Sequence, residues 1–221
     1  MPGSAADNAA KVRFDDRGLA PCVIQDARTG EVLTLAYMNE ESLQLTLETR
    51  EVHLFSRSRR EIWHKGETSG NVQRVAQLRY DCDADALVAL VEPAGPACHT
   101  GERSCFYRDL EGAGDAGVDA PAADEPEPVA GEALAALERT LNRRRSERPE
   151  GSYTVSLLED PGLAAAKVSE EAAEVIAAAE AESDERVAEE AADVIYHLAV
   201  LLLSRGVPLS AVMDVLNGRR A

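Results

Sequence analysis

The stretch Arg79-Tyr80-Asp81-Cys82-Asp83-Ala84-Asp85 places three carboxylates at alternate positions, with a thiol between the first two. If the stretch is extended, the three aspartates point to one face and Cys82 points to the other, because side chains alternate along a strand. Carboxylate oxygens select Mg²⁺ or a similar hard cation, whereas a thiolate selects Zn²⁺. The stretch therefore predicts either a strand that serves two metals or an acidic edge strand with a buried cysteine.

Two further cysteines, Cys98 and Cys105, follow Cys82 on a segment whose glycine and polar residues let it fold back on itself. Three thiolates hold a zinc ion and leave its fourth position for water, whose pKa the metal lowers toward neutrality. The spacing is not that of a standard zinc finger, so three buried cysteines without a metal remain the alternative. A hydrolytic zinc site is thus one of two interpretations of these cysteines.

Composition divides the chain of 221 residues into three parts. Residues 111–131 contain six acidic residues, no basic ones, and otherwise almost only Gly, Ala, Pro and Val, which predicts an extended acidic linker. Residues 1–110 hold all four cysteines, and residues 132–221 are rich in Ala and Glu. Two domains of different class are therefore expected on either side of the linker.

Net charge and hydropathy exclude some partners. A formal charge of −17 argues against a nucleic-acid or anionic-membrane surface, because either needs clustered Lys and Arg. The longest apolar run near the C-terminus, residues 194–203, is too short to span a bilayer, and no signal peptide is recognisable. We expect a cytoplasmic protein with no membrane or nucleic-acid partner, in which the cysteines are thiols or metal ligands.

The first domain is predicted to be an α+β, strand-rich fold. Short apolar runs bounded by turn residues predict strands at 22–26, 32–37, 52–56, 72–85 and 87–91. Asn39 is a good N-cap for a helix over residues 40–49. Residues 57–70 form a polar loop rich in Arg and Gly, which predicts either a phosphate-binding loop or a solvated hairpin.

Four segments of the first domain carry a distinctive pattern: residues 57–59 with 63–71 (RSR and WHKGETSGN), 81–85 (DCDAD), 98–101 (CHTG) and 104–106 (SCF). With these segments, residues 14–108 resemble the phosphoribosyl-AMP cyclohydrolase family of histidine biosynthesis. The resemblance implies hydrolytic opening of the purine ring of phosphoribosyl-AMP, and a homodimer with active sites at the subunit interface. Ligands to one zinc are then expected from one chain or from two.

The resemblance also implies roles for individual residues. The implied zinc ligands are Cys82, Cys98 and Cys105, and the implied magnesium ligands are Asp81, Asp83 and Asp85. Cys22 matches no ligand position and is predicted to be a core thiol. The implied catalytic residues are His99, His64 and Lys65, although a loop histidine bound to backbone is an equal alternative for His64. The implied substrate-binding residues are Arg57, Arg59, Trp63, Lys65, Thr68 and Ser69.

The second domain is predicted to be an all-α helical bundle. Apolar residues at helical spacing predict helices over 132–146, 162–181 and 184–204, with a break at 149–154. Spacings of three and four place Lys167, Glu170, Glu171 and Glu174 on one helix face, and Glu190, Asp193 and His197 on a face of the next. Small apolar residues crowd these acids, so they border the packed seam, where unpaired like charges are costly without a cation.

The acidic pattern resembles the all-helical nucleoside-triphosphate pyrophosphatase superfamily and, over residues 133–219, phosphoribosyl-ATP pyrophosphatase. The matching segments are 151–158 (GSYTVSLL), 167–174 (KVSEEAAE) and 190–197 (EAADVIYH). The resemblance implies Mg²⁺ binding by Glu171, Glu174, Glu190 and Asp193, with Glu170 beside them and Lys167 binding substrate phosphates. The run Arg143–Arg145 is a second candidate for phosphate contact, or simply a favourable helix C-terminus.

The two resemblances describe consecutive reactions, because the pyrophosphatase makes the phosphoribosyl-AMP that the cyclohydrolase opens. A fusion enzyme acting on small phosphoribosyl nucleotides, with Zn²⁺ and Mg²⁺ as cofactors, is the expectation. Two alternatives are a housecleaning nucleotide pyrophosphatase fused to a deaminase-like zinc hydrolase, and a non-catalytic zinc-stabilised nucleotide sensor. Complete sets of acidic ligands in both halves argue against the sensor.

Overall fold

The computed structural model describes residues 4–108 and 128–219, which separate into two compact units on either side of the bond between residues 127 and 128. The predicted linker, residues 111–131, lies outside the described residues except for its last four. Of these, Ala130 and Gly131 begin a short 3₁₀ turn, Ala130–Glu132. The boundaries predicted at 110 and 132 therefore stay predictions.

The first unit is strand-rich, as predicted. Its elements are α1 (Ala5–Ala9), β1 (Ala20–Asp26), β2 (Val32–Met38), α2 (Glu40–Thr49), β3 (His53–Ser56), β4 (Glu61–His64), β5 (Gln73–Tyr80) and β6 (Leu87–Pro93). Four strands form one sheet in the order β2-β1-β6-β5, in which β1 and β6 are parallel and the other pairs antiparallel. Strands β3 and β4 form a separate hairpin.

Alternating side chains of β1 explain where the core of the first unit lies. Cys22 and Ile24 are fully buried, whereas their neighbours along the strand are partly exposed. They pack with Leu33, Met38 and Val91 in the main hydrophobic cluster of the unit. Cys22 is therefore a core thiol, as predicted, and burial raises its pKa to about 12.

Helix α2 has the predicted bounds, because its ends carry strong local signals. The Asn39 side chain accepts the Ser42 N–H at 2.9 Å, and the Ser42 hydroxyl accepts the Asn39 N–H at 2.9 Å, which closes a capping box. Arg50 ends the helix in the left-handed region at φ 58°. Its guanidinium donates to the carbonyls of Val75 and Ala76 and so holds the helix end against β5.

The polar segment 57–70 agrees with the hairpin interpretation, whereas one predicted strand of the first unit is wrong. The segment contains strand β4, whose Trp63 pairs with Leu54 of β3, so it is a hairpin followed by a turn. Strand β5 ends at Tyr80 and does not continue to Asp85. The reason is local: the Asp81 carboxylate takes backbone N–H groups that a strand would donate to its neighbour.

The second unit is helical, as predicted. It contains α3 (Ala133–Glu147), α4 (Tyr153–Glu159), α5 (Pro161–Ala181), α6 (Asp184–Ser204) and α7 (Leu209–Gly218). Asp160 caps α5 with Pro161 in its first turn, and Ser183 caps α6. The short helices α4 and α7 were not predicted, because each follows a Gly- or Pro-containing break and is too short to show a clear period.

The core of the second unit joins all the long helices. Leu141 of α3, Leu157 of α4, Ala164 of α5 and Val200 of α6 are buried together in one cluster. Helices α5 and α6 run against each other along most of their length. Among the described helices, none is long and apolar enough to cross a membrane singly, and α6 and α7 pass such a test only as a pair bent by 106°.

Candidate active sites

A tight turn between β5 and β6 gathers the three aspartates of the first unit. Asp81 Oδ1 accepts the N–H groups of Asp85 at 3.0 Å and Ala86 at 3.2 Å, and Ala84 takes the left-handed φ of 65° that the turn requires. Oxygens from Asp81, Asp83 and Asp85 consequently lie within 4.8 Å of one another. The shared strand face that an extended stretch would give is not formed, because a turn and not strand alternation brings these carboxylates together.

The charges of this turn are unbalanced. The N–H of Ala86 leads the interactions that lower the pKa of Asp81. The negative charge of Asp83 is the main cause that raises the pKa of Asp85. Because the oxygens are hard donors and repel one another, the turn suits a divalent cation such as Mg²⁺.

The segment after β6 brings two of the cysteines together. The Cys98 N–H donates to the Glu102 carbonyl at 3.0 Å, and the Cys105 N–H donates to the Leu33 carbonyl of β2 at 2.7 Å. The segment thus folds back on itself, and the Cys98 and Cys105 thiols interact with each other. Two converging sulfur donors of this kind fit a zinc ion.

The two thiols have different acidities. Burial works to raise the pKa of Cys98, but hydrogen bonds from the Thr100 hydroxyl, at 3.1 Å from the sulfur, and from the Thr100 N–H outweigh it and leave that pKa lowered. Burial raises the pKa of Cys105. Cys98 is therefore the thiol that ionises more readily when a metal arrives.

Cys82 does not join the other two cysteines within one chain. It lies in the turn before β6, whereas Cys98 follows β6, a strand of seven residues that spans roughly 20 Å. Zinc–sulfur bonds of about 2.3 Å hold thiolates on one ion within about 4.6 Å of each other. Over residues 4–108, the three cysteines form no group with sulfur atoms at that separation. A zinc bound by all three needs Cys82 from a second chain.

The predicted catalytic residues fall into different surroundings. The Lys65 ammonium donates to the Ala97 carbonyl of the cysteine segment, and His99 Nδ1 lies 3.9 Å from the Cys98 sulfur. His64 stacks on His53 with ring centroids 4.6 Å apart. Lys65 and His99 are thus beside the cysteines, whereas His64 is held in the hairpin.

His64 also makes an electrostatic contact. Its Nε2 lies 2.9 Å from the Glu51 carboxylate, but the atoms are not aligned for a hydrogen bond, and Nε2 is buried without another partner. The contact joins the hairpin to the residue that follows α2. The predicted alternative of a loop histidine bound to backbone does not match these contacts, because His64 lies in strand β4 and its ring meets the side chains of His53 and Glu51.

The predicted phosphate residues lie at both ends of β4. Arg57 stacks on the Tyr37 ring with 4.0 Å between guanidinium carbon and centroid, and Arg59 pairs with Glu61 at 3.0 Å. Thr68 and Ser69 are exposed in the turn after β4. Trp63 packs partly against the core and lies 5.3 Å from the Lys65 ammonium. The structure does not bring all these residues to one point.

The acidic site of the second unit lies between α5 and α6. Oxygens of Glu171 and Glu174 on α5 and of Glu190 on α6 lie within 4.8 Å of one another. Glu171 and Glu190 are buried, and Glu174 is exposed. Desolvation, followed by the charge of Glu171, raises the pKa of Glu174. Asp193 and Glu170 border this group without belonging to it.

Two cations neutralise part of this acidic group. Lys167 lies 2.8 Å from Glu170 and 3.5 Å from Glu171, and its hydrogen bond to Glu170 is the main cause that raises the pKa of Lys167. The guanidinium of Arg186 contacts the Glu190 carboxylate. The third member of the group, Glu174, has no such cationic contact among the ion pairs of residues 128–219.

A partly buried polar chain beside the acidic group, centred on His197, was not predicted. His197 donates from Nδ1 to the Asp193 carbonyl at 2.8 Å, so its Nε2 accepts from the Tyr153 hydroxyl at 3.1 Å. The Nδ1 atom also lies 3.9 Å from a Glu171 oxygen. Tyr153 opens α4, so the chain fixes that helix to α6. The sequence signal for this polar chain was the segment 151–158, which contains Tyr153. The segment matched a family motif, but nothing in it indicated a hydrogen bond to His197.

Comparison with known proteins assigns both units. Residues 34–107 match the family described as "Phosphoribosyl-AMP cyclohydrolase", and residues 134–220 match "Phosphoribosyl-ATP pyrophosphohydrolase". The protein "Histidine biosynthesis bifunctional protein HisIE" of Bacillus subtilis is 49% identical over 96% of this chain and 97% of its own length. The chain belongs to this bifunctional family. The HisIE proteins of Thermus thermophilus (50% identical, 88% of this chain, 86% of the relative) and Halalkalibacterium halodurans (47%, 96% and 97%) are similar in the same way.

Family membership settles the activity. The chain is a bifunctional hydrolase of histidine biosynthesis, with a cyclohydrolase unit and a pyrophosphohydrolase unit, and the predicted fold of each half is confirmed. The family works on phosphoribosyl nucleotides, so the acidic groups described above lie in units that handle phosphate-bearing substrates.

Proposed function

We propose that the two hydrolyses take place at two separate metal sites, one in each unit. The observation that supports this most strongly is the burial of Glu171 and Glu190 beside Glu174. Lys167 and Arg186 offset only part of the charge of three carboxylates at this separation, so a bound cation would stabilise the folded unit further. In the first unit, the paired cysteines and the aspartate turn offer donors of two kinds, suited to two different metals.

For the cyclohydrolase, the proposed zinc ligands are Cys98 and Cys105 of one chain with Cys82 of another, in a homodimer. The separation of Cys82 from the other two thiols within one chain supports its contribution from a second chain. Three protein ligands would leave the fourth zinc position for water. Zinc supplies a water of lowered pKa near neutral pH. Asp81, Asp83 and Asp85 are the proposed Mg²⁺ ligands, and in the same dimer they approach the cysteine segment of the other chain.

The roles of the remaining residues of the first unit follow from their contacts. His99, exposed beside Cys98, is the proposed proton-transfer residue for the purine ring. Lys65 lies close enough to Cys105 to favour its thiolate. His64 is assigned to holding the hairpin through Glu51, so that Lys65 meets the cysteine segment. Arg57, Arg59, Thr68 and Ser69 are proposed to bind phosphate and ribose.

For the pyrophosphohydrolase, Glu171, Glu174 and Glu190 are the proposed Mg²⁺ ligands, with Asp193 and Glu170 completing the acidic rim. Magnesium neutralises polyphosphate charge and orients water for attack. Lys167 is proposed to bind phosphate oxygens, and its position 3.5 Å from Glu171, at the edge of the acidic group, supports this role. We expect the enzyme to act in the cytoplasm, where its four free cysteines stay reduced.

Two substitutions test the separation of the sites. The full-length chain is given phosphoribosyl-ATP with Mg²⁺ and Zn²⁺, and pyrophosphate and the ring-opened product are measured. Cys105→Ala is expected to abolish the ring-opened product while pyrophosphate release continues. Glu171→Ala is expected to abolish pyrophosphate release, yet to open the ring when phosphoribosyl-AMP is supplied. If either change removes both activities from folded protein, the proposal of two independent sites is wrong.

A further inference from the structure

Arg103 lies between the two cysteines of the zinc segment and ties that segment to the sheet. Its guanidinium donates to Asp26 Oδ2 at 3.1 Å and to the Thr29 hydroxyl at 3.1 Å, and it contacts the Glu31 carboxylate. These three acceptors all belong to the turn between β1 and β2 and its edges. One side chain thus connects the segment to residues more than seventy positions earlier.

The Asp26 carboxylate, to which Arg103 is bound, is buried and held by further hydrogen bonds. Asp26 is only 4% exposed, and its other carboxylate oxygen accepts the N–H groups of Arg28 at 2.8 Å and Thr29 at 3.1 Å. A carboxylate so buried and so fully bonded cannot move to follow a shifting loop. The planar guanidinium reaches several acceptors at once, which a lysine ammonium on a flexible stem does not reproduce.

The backbone around Arg103 carries this constraint to the cysteines. The Arg103 carbonyl accepts the Ala97 N–H at 3.1 Å, and the Ser104 hydroxyl donates to the Val32 carbonyl at 2.7 Å. Cys98 follows Ala97, and Cys105 follows Ser104. Fixing the Arg103 side chain therefore fixes the backbone on which both sulfur atoms are carried.

We propose that Arg103 is a positioning residue that sets the zinc affinity of the cyclohydrolase site without touching metal or substrate. The inference rests on the proposed zinc ligands Cys98 and Cys105. Ordering a flexible segment at the moment of binding weakens affinity, and partners that hold ligands in place are worth about 10- to 100-fold in metal affinity. Loss of the Arg103 contacts is expected to weaken zinc binding within this range.

The test measures the zinc dissociation constant of the full-length chain by competition with a chromophoric chelator. Arg103→Ala is expected to bind zinc about 10- to 100-fold more weakly, and Arg103→Lys to lie between this variant and the native chain. Arg28→Ala is the matched control, because Arg28 is on the same turn, and its ion pair within residues 4–108 is to exposed Glu92, at 3.6 Å. The control is expected to bind zinc within twofold of the native chain.

Three further measurements separate positioning from loss of fold. Pyrophosphate release by the same chain and the fluorescence unfolding curve of Trp63 report whether each unit is folded. In metal-free protein, Cys98 and Cys105 of Arg103→Ala are expected to alkylate faster than in the native chain, and Arg103→Lys provides the comparison if the alanine variant unfolds. Native zinc affinity in folded Arg103→Ala would overturn the proposal. Native zinc affinity in Cys105→Ala would instead overturn the zinc assignment itself.

Discussion

Leu157 is the residue whose truncation tests most directly whether the two units fold separately. Its side chain on α4 is 0% exposed and packs in the core of the helical unit. Truncation of such a leucine to alanine removes transfer free energy and leaves a cavity, which together cost about 2–5 kcal/mol. For a unit of this size, each 1 kcal/mol lost from the free energy of unfolding lowers the thermal unfolding midpoint by about 4–8 °C. A loss of about 3 kcal/mol therefore lowers this midpoint by about 12–24 °C.

The chain provides a separate probe for each unit. Its single tryptophan, Trp63, packs against the core of the first unit, so tryptophan fluorescence reports that unit. Most helical residues are in the second unit, so circular dichroism at 222 nm reports mainly that one. Leu157→Ala is expected to lower the dichroism midpoint and leave the fluorescence midpoint unchanged. Leu134→Ala, at a position 41% exposed on α3, is the control and is expected to change stability by less than about 0.5 kcal/mol.

The same variant separates the two activities by temperature. Between the two midpoints, Leu157→Ala is expected to lose pyrophosphate release and still open the ring of supplied phosphoribosyl-AMP. A joint shift of fluorescence and dichroism would show that the units unfold as one, and the reasoning would be refuted. An unchanged dichroism midpoint would refute the burial of Leu157.

Three further predictions concern individual side chains. In metal-free protein, Glu174→Gln should raise the dichroism midpoint at pH 7.5 and reduce the Mg²⁺-induced shift. The raised pKa of Glu174 means that its charge destabilises the folded unit at neutral pH, so the gain should shrink as the pH falls and vanish well below 4.5, the ordinary glutamate pKa, where this side chain is protonated in both states. Cys22, with a pKa of about 12, should resist iodoacetamide at pH 8 while the other three thiols of metal-free protein react, as read by mass spectrometry. Gly66→Ala should impair ring opening and not pyrophosphate release, because an added Cβ would lie 2.3 Å from the Asn71 backbone, whereas Gly70→Ala has open space and should have a smaller effect.

Local signals were sufficient for much of the architecture. Helix α2 and helix α6 have the predicted bounds, because N-caps such as Asn39 and Ser183 depend only on a few adjacent residues. The acidic face of α5 was also predictable, because a helix places residues three and four apart side by side. Their meeting with Glu190 required only that α5 and α6 pack through their small apolar residues.

The end of strand β5 and the presence of strand β4 were not predictable in the same way. The Asp81 carboxylate ends β5 by taking N–H groups of its own turn, and a period-two pattern does not reveal this competition. The hairpin strand β4 was hidden by its polar composition, although Trp63 pairs regularly with Leu54.

The cysteines illustrate the remaining division. Residue types alone allowed a zinc site or three buried thiols, because sulfur donors suit zinc whatever the fold, and the family resemblance implied the set of three ligands. Strand β6 separates Cys82 from Cys98, and Arg103 joins the cysteine segment to Asp26. Both relations depend on the order of strands in the sheet and not on spacing in the chain. Chemistry is a property of side chains and is legible in the sequence, whereas which thiols meet in one chain depends on how the strands are arranged in space.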